Sequence, residues 1–159
     1  DEGKNASYAG WVADGFITAC PGETTDFDRI MLDVLDDAEQ HRIDDVAYDP
    51  WQALNLASDL AAKGIPVIEY RPTVANFSPA MKDLDALVRE GRLHHTGNPV
   101  LDWHVACVEV FEDAKGNIYP RKDRNDPNQK IDGVIAMLSA YGRRMTLDAT
   151  EKTPSLSFL

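Results

Sequence analysis

Cysteine is nearly missing from this chain: Cys20 and Cys107 are the only two, with no CxxC pair and no His spacing to complete a zinc knuckle. Both are expected to be buried, reduced thiols. No apolar run approaches the roughly 20 residues a membrane helix needs, which excludes a membrane-spanning protein. No basic stretch followed by an apolar one opens the chain, so no signal peptide is read and the expected setting is cytoplasmic. GxxxxGK[ST], GxGxxG and GxSxG are all absent, leaving ATP hydrolysis, dinucleotide binding and α/β-hydrolase chemistry without local support. Positive charge is scarce as well: 16 Lys and Arg face 27 Asp and Glu, for a formal net charge of −11. A surface that grips nucleic acid all over is thereby excluded, because phosphate contacts need cations. Any contact with DNA must be local.

What is present is an ordinary globular composition, 43% hydrophobic and 27% charged, on 159 residues, enough for one domain with its own core. Residues 10–20 (GWVADGFITAC) carry aromatic and β-branched residues before Pro21-Gly22 and read as one or two short strands. Over 26–42, Phe27, Ile30, Met31, Val34, Leu35 and Ala38 recur at helical spacing, with Thr25 as candidate N-cap. Residues 45–48 (DVAY) read as a strand, Asp49-Pro50 opens a helix that Gly64 stops, and 66–70 (PVIEY) reads as a second strand, making a β-α-β unit. Ser78-Pro79 and Asn98-Pro99 carry the same helix-opening punctuation. The turn EDAKGN predicts a hairpin pairing residues near Val110 and Ile118. Ile131, Val134, Ile135 and Leu138 mark a last helix ending near Tyr141-Gly142. Alternating strands and helices predict an α/β sheet flanked by helices, with ligands gathering at the carboxyl ends of its strands.

Two acids draw attention on that ground. Asp49 ends a strand, where its carboxylate either caps the following helix before Pro50 or reaches over the sheet edge to a metal. Asp132 opens the last helix, either complementing its dipole or supplying a second carboxylate, and Gly133 beside it permits close approach. Hydrolysis of a phosphodiester with two metals needs carboxylates that hold both ions, and two acids from separate elements can contribute only if the fold joins them. Arg121, Lys122, Arg124 and Lys130 fall within ten residues just before Asp132, either as a solvated loop or as contacts for a DNA backbone. Neighbouring residues of a strand face opposite ways, so His94-His95 is not expected to share one ion. His104 is read as packed or hydrogen-bonded rather than catalytic, and Trp11, Trp51 and Trp103 as core anchors rather than base-stacking platforms.

Three stretches in order, AYDPWQA (47–53), HTGNPVLDW (95–103) and KIDGVIA (130–136), together resemble the C-terminal nuclease domain of tailed-phage terminase large subunits. The likeness extends over residues 8–143. It implies an RNase H-like mixed sheet flanked by helices, an acidic cluster that binds Mg²⁺ or Mn²⁺ at a two-metal site, and endonuclease cleavage of concatemeric phage DNA. It carries over Asp49 as the acid after the second catalytic strand and Asp132 as the acid on the closing helix, with Arg121, Lys122, Arg124 and Lys130 beside them as DNA-binding residues. Double-stranded phage DNA, the portal protein and the small terminase subunit are the implied partners, and the bacterial host cytoplasm the implied location. The family also has an earlier strand with another catalytic Asp and a preceding ATPase motor, neither of which is seen before Trp11. The expectation is therefore an N-terminally truncated nuclease domain over 1–145, with a tail over 146–159. A catalytically incomplete fragment or prophage remnant, acting as an interaction module, is the alternative.

Overall fold

In the computed structural model, residues 2–22 and 24–151 are described. The first element departs from expectation. Where the segment 10–20 suggests strands, the chain forms α1 (Glu2–Ala13), and Asp14 closes it by donating its N–H to the Gly10 carbonyl at 2.9 Å. Ala9 and Ala13 favour helix, and Gly15, at φ +79°, supplies the left-handed residue that ends one. The helical path also places Tyr8 and Trp11 on one face, three positions apart, where both meet Trp103. The aromatic content that reads as strand is the docking face of a helix.

α2 (Phe27–Gln40) is capped by Asp26, whose side chain accepts the Arg29 N–H at 2.9 Å, one position later than the expected Thr25. The β-α-β unit forms as read. β1 (Val46–Tyr48) and β2 (Val67–Glu69) pair in parallel, with Val46 opposite Val67 and Tyr48 opposite Glu69, and α3 (Pro50–Ala62) joins them. Gly64 follows α3 at φ +87°.

α4 (Val74–Arg89) begins before Ser78-Pro79 and takes Pro79 into its interior. Thr73 caps it by accepting the Asn76 N–H at 3.3 Å, while the Asn76 side chain donates to the Arg71 carbonyl at 2.8 Å. The helix forgoes the hydrogen bond Pro79 cannot donate, and in exchange Phe77, Ser78 and Ala80 reach the core. α5 (Pro99–Ala106) starts where expected, with Asn98 accepting the Val100 and Leu101 N–H groups. The hairpin also forms, β3 (Glu109–Glu112) antiparallel to β4 (Ile118–Arg121). Its register sets Val110 opposite Pro120 and Glu112 opposite Ile118.

The protein is thus α/β, with parallel and antiparallel pairing held in two separate two-stranded sheets among the described residues. The core lies where α4 crosses the last helix, α6 (Asp132–Glu151): Tyr70, Phe77, Ala80, Leu84, Val134 and Leu138 form one buried cluster. Tyr70, Phe77 and Tyr119 stack in sequence, with centroids 6.5 and 5.8 Å apart. Ser78 Oγ, buried, accepts the Ile118 N–H at 3.1 Å and so ties α4 to β4.

α6 does not end near Gly142 but continues through it to Glu151. Gly142 is the point at which α6 passes the Tyr70 hydroxyl, where any Cβ would overlap that oxygen. Of the two thiols, Cys107 is buried as expected, whereas Cys20 is exposed. Among the described residues no helix is long and apolar enough to cross a membrane.

Candidate functional site

β1 delivers its last residue, Tyr48, to the sheet's carboxyl edge, so the next residue, Asp49, sits at the turn into α3. Its Oδ1 accepts the Trp51 N–H at 3.2 Å, and its backbone is extended (φ −86°, ψ 122°), as an N-cap requires. Capping engages one carboxylate oxygen. The second lone-pair face of the carboxylate is what a ligand would use, so the two readings of Asp49 are compatible.

Asp132 opens α6, and α6 packs against β1. Asp49 and Asp132, far apart along the chain, both line one cleft of about 820 Å³, together with Asp44, Asp45 and Tyr48. Both side chains are exposed. Asp45 is engaged by Arg143, whose Nε and Nη2 lie 2.8 and 2.6 Å from its Oδ2, and Asp44 pairs with Arg42 at 3.0 Å. This leaves Asp49 and Asp132 as the cleft carboxylates not held in those ion pairs. Among the described residues there is no group of three or more His, Cys, Asp or Glu side chains arranged to hold a metal. Mg²⁺ binds through one or two carboxylates completed by water and phosphate oxygens, so one divalent ion needs no more than two such acids within reach of each other. A pair of ions calls for more carboxylate than they supply.

How α6 presents Asp132 could not be read locally. Ile131 precedes the helix and has no side-chain acceptor for the orphan N–H groups of its first turn. The acceptor comes from α5: His104 Nδ1 takes the Gly133 N–H at 3.0 Å. An accepting Nδ1 places the imidazole proton on Nε2, so the ring is neutral. Burial lowers the His104 pKa, and the nearby Asp132 charge opposes that shift. A Cβ on Gly133 would lie 2.6 Å from His104 Nδ1, so the missing side chain at 133 serves close approach to this imidazole. Trp103, 5.0 Å from the His104 ring and 5.4 Å from Trp11, links the same brace to α1. His104 is therefore hydrogen-bonded, as its sequence context suggests. Its role in seating Asp132 was missed, although a helix start with no capping residue is the signal that some remote acceptor must exist.

The basic residues divide. Arg121 ends β4 with its guanidinium carbon 3.6 Å from the Phe111 ring centroid, and Lys122, Arg124 and Lys130 are exposed on the loop that leads to Asp132. That loop is shaped by its own acids and amides. Asp123 accepts the Asn125 N–H at 2.8 Å, and Gln129 accepts the Asp123 N–H at 2.9 Å. None of these four cations lines the cleft, whose basic lining is Arg42, Arg143 and Arg144. Burial raises the Tyr119 pKa, the Arg121 charge opposes this, and the Asp49 charge adds to it. His94 and His95 lie on a loop rather than a strand, and His95 Nδ1 accepts the Gly97 N–H at 3.3 Å. Trp11 and Trp103 pack on one another, but Trp51 is no core anchor: it is 84% exposed.

Comparison with known proteins bears on this arrangement. The family described as "Terminase large subunit, endonuclease domain" matches residues 2–147. Protein YmfN of Escherichia coli (strain K12) is 31% identical over 150 residues, covering 92% of this chain and 32% of that protein. The large terminase subunit of Enterobacteria phage HK97 is 28% identical over 139 residues, covering 86% of this chain and 27% of that protein. This chain thus spans about a third of the length of the curated relatives it matches. The crystal structure of the HK97 bacteriophage large terminase superposes with a TM-score of 0.76 at 27% identity, over 89% of this chain and 30% of that one. The large terminase nuclease from thermophilic phage G20c shares the fold, with a TM-score of 0.59 at 16% identity over 77% of this chain and 64% of that one. The chain belongs to the terminase large subunit endonuclease-domain family.

Proposed function

We propose that this chain is the metal-dependent endonuclease unit of a phage DNA-packaging terminase, hydrolysing phosphodiester bonds of double-stranded, concatemeric DNA. The supporting observation is that Asp49 and Asp132, from β1's edge and α6's start, line the same cleft. On this reading the two carboxylates hold Mg²⁺ or Mn²⁺, which when bound supplies Lewis-acid activation of water and charge neutralisation at phosphate. Asp49 is oriented by its own cap to the Trp51 N–H, and Asp132 by the brace from His104 to Gly133. Arg121, Lys122, Arg124 and Lys130 contact the DNA backbone. The portal protein and the small terminase subunit are its partners in the bacterial cytoplasm.

Plasmid nicking by this chain in Mn²⁺ tests the reading. The expected result is nicking that Asp49→Ala or Asp132→Ala abolishes while circular dichroism remains that of a folded domain. Equal cleavage by both variants and the parent would reject the site.

A second reading is a catalytically incomplete terminase piece that acts as an interaction module. It is favoured by the absence, among the described residues, of a ligand group larger than the two acids. A chain that never nicks, whatever the Mn²⁺ concentration, selects this reading.

A further inference from the structure

We propose that Trp51, with Arg71 beside it, is a stacking platform for a nucleobase of the DNA strand held at the Asp49 cleft. The proposal rests on the endonuclease reading for the identity of its ligand. Trp51 is the second residue of α3 and stands 84% exposed, whereas Trp11 and Trp103 pack on one another at 5.4 Å in a tilted arrangement, with an interplanar angle of 38°. Its position is fixed at the backbone, since its N–H is donated to the Asp49 carboxylate at 3.2 Å. The indole therefore projects from the turn that carries the candidate metal-binding acid.

Trp51 and Asp49 line two recesses at once, the 820 Å³ cleft and a shallower one of about 510 Å³ completed by Pro50, Arg71 and Pro72. The side chain is a ridge between them. A strand lying across both recesses meets Trp51 as well as Asp49. Arg71 lines the shallower recess together with Trp51, with its Nε donated to Glu69, and a guanidinium carries four further N–H donors for a phosphate or a base edge. Tyr119 donates its hydroxyl to the carbonyl of Pro72, another lining residue, at 2.8 Å.

Charge explains why an aromatic ridge is useful here. At a net charge of −11 the domain as a whole repels a polyanion, so contacts that do not depend on phosphate attraction gain importance. A base stacked on indole is such a contact, tolerant of sequence because every base has a π face. The ring needs an open base face, so the platform takes an unpaired or frayed nucleotide in preference to an intact duplex.

The test is tryptophan fluorescence of this chain titrated with a short oligothymidylate in EDTA, where no cleavage occurs. Expected are saturable quenching that Trp51→Phe removes, roughly tenfold weaker binding in Trp51→Ala by fluorescence anisotropy, partial recovery of affinity in Trp51→Phe, and weaker binding of the blunt duplex. An exposed residue can be replaced without loss of the fold, which circular dichroism checks. Unaltered oligonucleotide affinity in Trp51→Ala overturns the proposal. So does quenching that persists in Trp51→Phe, or no binding at all, which would mark the ridge as a contact for another protein segment. Nicking by Asp132→Ala reports on the endonuclease reading alone, so the two can fail separately.

Discussion

A single hydrogen bond, from the Gly133 N–H to His104 Nδ1, couples the start of α6 to a residue 29 positions earlier. Removing the acceptor in His104→Ala leaves a part-buried N–H without its cap, at a cost of about 1–2 kcal/mol. His104→Asn, whose side-chain oxygen can take the same proton, should recover most of that loss. Gly133→Ala attacks the contact from the other side. Its Cβ would crowd the imidazole, and about 1–3 kcal/mol of overpacking strain follows. Urea unfolding of the three variants gives the ranking, and equal stability of His104→Ala and the parent would remove the brace from consideration. The pH dependence has a definite sign. Burial holds folded His104 below its ordinary value of about 6.5, so the unfolded chain takes up the proton first. Stability is then full above that pH and is lost as pH falls through it, levelling once the folded form also protonates. His104→Asn should show a smaller drop in urea midpoint between about pH 7 and pH 5 than the parent does.

The elements meet along α6, which carries Asp132 at one end and docks on the rest of the molecule further along. Arg143 reaches Asp45, just before β1, with exposures of 25% and 12%, between a surface pair and a buried one. Breaking it in Arg143→Met should cost on the order of 1–2 kcal/mol and loosen α6 against β1. One residue earlier, Gly142 lets α6 lie on Tyr70. Gly142→Ala should cost about 1–3 kcal/mol, and Tyr70→Phe in the same chain should return only part of it, because the ring carbon beneath the hydroxyl would still be 3.0 Å from the new Cβ. A double-mutant cycle by thermal melting measures that coupling, and strict additivity would place the strain elsewhere. These contacts also explain which elements could be read in advance. α3 and α5 were legible because Asp49-Pro50 and Asn98-Pro99 cap their own helices within three residues. α1 and the full length of α6 were not, because Trp103 and Tyr70 decide them from a distance, and the early start of α4 was hidden because Ser78-Pro79 offered the stronger helix-opening signal although Thr73 caps the helix locally. At the site, the position of Asp49 was legible from its strand and its Pro. That Asp132 borders the same cleft was legible only through likeness to a family, and the exposure of Trp51 was not legible at all, since its apolar neighbours in sequence are not its neighbours in space.

At the scale of the whole molecule, charge sets how DNA can be held. An acidic domain with a net charge of −11 gains affinity for a polyanion only through a few local cations, and each neutralised phosphate contributes about −0.9 to the slope of log K against log salt on duplex DNA. If Arg121, Lys122, Arg124 and Lys130 are those cations, the slope should be no steeper than about −4. Replacing Arg121 and Lys122 by Gln should reduce it by roughly 2 units of slope, at a stability cost of no more than about 1 kcal/mol from the lost Arg121–Phe111 contact, because both side chains are exposed. Fluorescence anisotropy of a labelled duplex between about 50 and 200 mM salt measures it. A slope unchanged by that double replacement would take the basic loop out of the interface. A much steeper parental slope would instead point to Arg42 and Arg143 releasing their carboxylates to meet phosphate inside the cleft, at the expense of the Asp45 pair that docks α6. These outcomes separate DNA bound along a rim beside the acids from DNA drawn into the cleft between them.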